Sequence, residues 1–223
     1  MHLKSIVIVV LTSCLFFTGC SKSNPTPSTS NNNNTPAPLS IASPANFNAT
    51  IGGTGIAFTE GTNAMEAIYS NNALGGFNSA NGNFYNLAKE SGLVYKGSNG
   101  NGYPKFSITI GAIPTFPSYP MENSNPTFKA LFSVKSYPYD ATLINGIKTT
   151  YTDANGKLWS SALGTADQTG STFVVTKVVD GTDPITAVYE VAIQASFNCT
   201  LYDGLGGSLV LTNGTFSGKF TNQ

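Results

Sequence analysis

Polarity alternates with a period of two along much of this chain, and the longest such stretch lies near its C-terminus. Tyr189, Val191, Ile193, Ala195, Phe197, Cys199 and Leu201 fall on one side, and Glu190, Gln194, Ser196, Asn198 and Thr200 on the other. That is the period of a half-buried strand. At about 3.3 Å per residue the strand is long enough to bend or to pass between sheets. Phe47, Ala49 and Ile51 alternate up to Gly52-Gly53, and Ile56 and Phe58 continue beyond, which predicts a hairpin. Phe106, Ile108 and Ile110 predict another strand, as does Phe128, Ala130, Phe132 and Val134 set against Lys129, Ser133 and Lys135. Phe173 to Val179 is a β-branched run. A C-terminal meander is expected, with Asn213-Gly214 as a hairpin turn and with Phe216 and Phe220 inward. Thr62 to Tyr69 fits a helical turn or an irregular strand, and 71–83 and 114–126 read as loop. No long amphipathic helix and no repeat of fixed period stand out. The expected fold is all-β: about ten strands in a two-sheet antiparallel β-sandwich over 41–223, with a closed β-barrel as the alternative.

The N-terminus follows a different pattern. Ile6 to Phe17 is an uninterrupted apolar run after His2 and Lys4. It is shorter than the roughly 20 residues a membrane-spanning helix needs, and fits the core of an export signal. Thr18, Gly19 and Cys20 follow, and this resembles the bacterial lipobox, in which a small residue precedes an invariant Cys; Phe17 stands where that motif most often has Leu. The resemblance implies cleavage between Gly19 and Cys20, with 1–19 removed, and lipidation of the Cys20 sulfur. Residues 20–40 are Ser, Asn, Thr and Pro with hardly an aliphatic side chain, a composition expected to remain a disordered tether. Ser21 rather than Asp after the Cys points, through the same resemblance, to the outer membrane. Lys22, with no acidic residue before Glu60, favours its periplasmic face.

Composition narrows the chemistry. The one histidine, His2, leaves with the signal, and there is no arginine. Histidine-based nucleophilic mechanisms and most zinc sites are therefore excluded, and a dedicated phosphate or nucleotide site is disfavoured. Loss of Lys4 leaves ten lysines against eleven acidic residues, too balanced to attract nucleic acid. Cys14 is also removed, so Cys199 has no disulfide partner and reads as a small core side chain. No cofactor is expected.

Three constellations remain. Trp159, Tyr137 and Tyr139 could form an aromatic platform for sugar rings, though a single Trp in a β domain more often packs in the core. Asp153 and Asn155 could begin a calcium loop, but Asp153-Ala154-Asn155-Gly156 also suits a polar turn with Gly at positive φ. Glu60, Glu66, Glu90, Glu122 and Glu190 are the candidates for the carboxylate pair that glycoside hydrolysis needs. Nothing in the sequence pairs them, and Glu190 sits on the polar side of its strand, where a solvated position is expected.

Gly146 to Ser161, Phe197 to Asp203 and Leu211 to Gly218 together resemble a group of Bacteroidetes lipoproteins of unknown function that join a lipobox to an all-β domain. The resemblance implies a fold and an address, and carries no activity or site residue. The expectation is a membrane-anchored, non-catalytic binding or structural module whose ligand is a glycan or a partner protein, with no nucleic-acid or nucleotide partner. A carboxylate-based glycosidase and an accessory subunit of an envelope assembly are the alternatives.

Overall fold

The long alternating segment near the C-terminus is a strand, and the other strands assemble on both of its edges. The computed structural model describes residues 38–78, 82–97, 102–115, 125–143 and 146–222. The expected signal segment with Gly19, Cys20, the expected tether up to residue 37, and Glu122 lie outside them. Pro38–Gln223 is one compact unit. Among the described residues no helix is long and apolar enough to cross a membrane.

The strands are β1 (Asn46–Ile51), β2 (Thr54–Thr59), β3 (Met65–Asn78), β4 (Gly82–Tyr95), β5 (Lys105–Thr115), β6 (Ile147–Thr152), β7 (Leu158–Ser160), β8 (Thr172–Thr182), β9 (Tyr189–Tyr202) and β10 (Ser208–Thr221), with a short helix α1 (Asn125–Ala130) between β5 and β6. The all-β expectation holds. The strands form a single ten-stranded sheet in the order β2-β1-β10-β9-β7-β6-β5-β4-β3, with β8 also on β9. This is the barrel alternative, nearly closed, and the hydrogen bonding does not divide it into the two sheets of a sandwich.

β9 holds this order together. β10 pairs along one of its edges from Tyr202 to Glu190. The other edge is shared: β8 takes Tyr189 to Asn198, and β7 takes Tyr202. The sheet forks where β8 ends. Lys135 to Tyr139 fills the fork, with Tyr137 N–H donating to Phe173 O at 2.8 Å and Val175 N–H to Lys135 O at 2.9 Å.

β9 alternates without interruption, whereas both neighbours change phase. On β10, Leu211 points inward, and so do Phe216 and Phe220. An odd separation between inward residues is possible only with extra backbone. The pairing with β9 shifts between Leu211 and Gly214, and Asn213 has a φ of 52°. Asn213-Gly214 therefore makes a bulge inside one continuous strand, and the expected hairpin does not form there. On β8 the shift lies between Val175 and Lys177. Gly52 and Gly53, with φ of 55° and 84°, do make the expected hairpin between β1 and β2.

Two further expectations change. Residues 71–78 and 82–83, read as loop, belong to β3 and β4, whose backbones pair from Met65↔Tyr95 to Asn78↔Gly82. Asn and Gly do not prevent a ladder when a partner strand supplies the pairing. Phe128 to Val134, read as a strand, is the end of α1 and a turn. Residues four apart share a helix face as well as a strand face, and Pro126 suits a first helical turn. Phe128 and Phe132 are buried against Tyr189 and Phe220, with ring centroids 6.1 and 4.9 Å apart respectively, while Val134 is 64% exposed.

Opposite walls meet through aromatic rings. Phe47 of β1 stacks on Phe106 of β5 at 3.6 Å between centroids, and Phe106 also meets Phe197 of β9 at 5.9 Å and Phe216 of β10 at 6.0 Å. Rings from three other strands thus converge on one fully buried side chain. Phe106→Ala is expected to lower the unfolding free energy by about 3–5 kcal/mol, the range for deleting a buried aromatic ring. Urea denaturation checks it, and a loss below about 1 kcal/mol would mean that the walls do not depend on this contact.

Candidate functional site

The expected aromatic platform is dismantled by packing. Trp159 is 8% exposed and Tyr137 7%. Trp159 lies opposite Tyr151 in the β6–β7 pairing, and its outer face is covered by Lys157, whose Nζ is 4.2 Å from the ring centroid. Lys157 is held there by Asp203 at 2.8 Å. That hydrogen bond, with N–H donors from Leu205 and Gly207, lowers the Asp203 carboxyl to about 2. Tyr137 accepts from Ser133 N–H at 2.7 Å and donates to Leu131 O at 2.9 Å. Tyr139 meets Phe173 edge-on, and its hydroxyl is buried beside Thr149 and Cys199. Trp159 and Tyr137 are thus closed off by packing, and Tyr139 is half-buried against Phe173. Cys199 is 2% exposed, and burial pushes its thiol up to about 12, as suits a core side chain.

The turn reading of Asp153 also prevails. Its Oδ1 accepts from Asn155 N–H at 2.9 Å and Lys157 N–H at 3.0 Å, and its Oδ2 lies 3.5 Å from Trp159 Nε1. Gly156 takes the positive φ, 82°. Asp153 and Asn155 thus build a turn, and among the described residues no group of three or more His, Cys, Asp or Glu could hold a metal ion.

The carboxylates each have partners of their own. Glu190 is buried, not solvated, because Lys219 of β10 bonds both of its oxygens at 2.9 and 3.0 Å. Lys219 Nζ also lies 5.3 Å from the centroid of the Tyr69 ring, so this ion pair ties β9 and β10 to β3, the far end of the sheet. Glu90 receives Ser70 Oγ at 2.7 Å and Lys105 at 3.2 Å. Burial raises its carboxyl, but hydrogen bonds from Ser107 and Ser70 and the Lys105 charge outweigh it and leave the group near 2. Glu60 accepts from Ala45 N–H at 2.8 Å, and Glu66 is exposed. Glu60, Glu90 and Glu190 are thus each engaged by a donor of their own.

A different surface is concave. The outer face of β9 carries Gln194, Ser196, Asn198 and Thr200 in a row, and two depressions lie over it. One, of about 410 Å³, spans Asn198 and Thr200 between the 169–171 turn and Thr212-Asn213. The other, of about 260 Å³, spans Gln194 and Ser196 between Thr176 and Thr215. The bulges on β8 and β10 supply Thr176, Thr212 and Asn213, so the same phase changes that fill the core also raise the rims of this groove. The polar half of the alternation was visible in sequence. The concavity was not, since the Asn-Gly pair reads there as a hairpin.

Removing Lys219 alone would leave Glu190 charged and unpaired. Lys219→Ala is expected to cost about 3 kcal/mol of unfolding free energy, and the double variant Lys219→Met/Glu190→Gln much less. Equal losses in a double-mutant cycle would overturn this account. For Glu90, the depressed carboxyl contributes stability that is present in full above about pH 4.5 and lost as pH falls toward 2. Glu90→Gln should flatten that acid limb in denaturation midpoints measured from pH 6 down to about 2.

No protein-family model, curated protein or solved structure matches the chain.

Proposed function

We propose that this chain is a lipid-anchored, non-catalytic binding module of the bacterial cell envelope. Cys20 holds it in the outer membrane, its domain stands on the periplasmic side of a polar tether, and its ligand is a glycan or a partner protein. The observation that carries the non-catalytic reading is the state of the enclosed carboxylates. Glu90, Glu190 and Asp203 are each closed by a lysine. A glycosidase instead needs two carboxyl groups facing each other across a cleft, one of them free to give up a proton. Absence of histidine from the mature chain removes the commonest alternative acid or base. The anchor is supported by the short apolar run, Gly19-Cys20 and the tether that follows.

Two measurements test the two halves. Cells expressing the full chain and fed an alkyne-tagged fatty acid should label it in the membrane fraction, and Cys20→Ser should lose the label. Label retained by Cys20→Ser overturns the anchor. The purified chain should release no reducing ends from polysaccharides, and turnover that disappears in Glu90→Gln or Glu190→Gln overturns the non-catalytic reading.

A further inference from the structure

The bulges on either side of β9 frame a groove without charge, and we propose that it binds a neutral, hydroxyl-rich polysaccharide chain. This rests on the binding-module reading above and gives it a site and a ligand class.

Four observations lead there. First, no Asp, Glu or Lys lines either depression. The charged groups described above are instead paired elsewhere, as in Lys219–Glu190, Lys157–Asp203 and Lys105–Glu90. A groove without ionic groups offers nothing to a phosphate, sulfate or carboxylate ligand. Second, its functional groups are amides and hydroxyls, each able to donate and accept, which matches the mixed donors and acceptors of sugar hydroxyls. Third, these groups are available. The side chains of Gln194, Ser196, Thr212 and Thr215 make no hydrogen bond to another described residue, and Asn198 uses its Oδ1 for Thr172 N–H at 2.9 Å, leaving its amide N–H₂. Fourth, Val210 lies among them and is 58% exposed, an apolar spot suited to the C–H face of a sugar ring.

Size and backbone pairing refine the choice. From Gln194 to Thr200 the row extends about 20 Å, room for a chain of several sugar units rather than a single one. On the face of a paired sheet an extended peptide finds no free backbone ladder to join, because along this row β9 has β10 on one edge and, on the other, β8 up to Asn198 and the Gln168 side chain at Thr200. Recognition here must come from side chains. Bulges are enriched beside binding sites because they re-aim side chains, and here they place Thr176, Thr212 and Asn213 as rims.

The test is affinity electrophoresis of the full chain in detergent, with xylan, mannan, amylose, laminarin or polygalacturonate in the gel. At least one neutral polymer should retard the protein and polygalacturonate should not, and added salt should leave the retardation unchanged. Ser196→Glu and Gln194→Ala should each weaken binding about tenfold, the loss of roughly one or two hydrogen bonds. Both should melt like the parent, since neither side chain holds another. Binding at full strength in both variants overturns the groove and leaves the binding-module reading standing. Stronger retardation by polygalacturonate, abolished by salt, overturns the neutral ligand. Retardation by no polymer overturns the glycan proposal altogether and leaves a partner protein as the ligand of the module.

Discussion

The unbroken alternation of β9 is the constraint to which the other strands adjust. Seven side chains from Tyr189 to Leu201 share its inner face, six of them fully buried. A strand that presents one apolar face over its whole length leaves its neighbours to match it in register. β8 and β10 do so with one phase change each, at Val175/Lys177 and Leu211/Gly214. Without them Phe216 and Phe220 would face solvent, and the stack that joins Phe47, Phe106 and Phe197 would lose a wall. The cost of a bulge is a few unpaired backbone groups. It is small beside the burial of two Phe side chains, worth about 1.5–3 kcal/mol each.

The same device has an outer consequence. Extra residues that reset the inner phase must project somewhere, and they project onto the outer face, where they flank the polar row of β9. Core packing and groove shape are therefore one feature seen from two sides. Charge follows a different logic. Lys219 closes on Glu190 and reaches Tyr69, so the ion pair between β9 and β10 also fastens β3 near the gap in the barrel. Such a pair is retained less for net stability than for holding a particular closure, since an apolar replacement of equal volume could be as stable.

Strands with a clean period were legible from sequence: β1, β2, the Phe106–Ile110 part of β5, β8 and β9. So were the Gly52-Gly53 and Asp153–Gly156 turns and the burial of Trp159 and Cys199. The misreadings share a cause. Asn213-Gly214 is a hairpin signal locally, because both residues tolerate positive φ, but a bulge needs the same tolerance. Residues 71–78 and 82–83 carry turn-forming side chains, yet β3 and β4 pair through them. Phe128 and Phe132 satisfy two periods at once. In each case the local signal was real, and a partner distant in sequence chose between its meanings.

The sequence by itself determined that this is an all-β chain with a lipobox-like N-terminus. It also determined that residues 38–223 carry no histidine and the chain no arginine. These follow from residue identity and from a period of two, which need no tertiary information. Only the tertiary structure decided that the strands close into one sheet, that Glu190 is paired rather than solvated, and that Tyr137 and Tyr139 are packed away. It alone decided that two depressions lie over the polar side of β9. Each of these depends on which strand lies beside which, and that is set by long-range register, which the alternation of any one strand cannot specify.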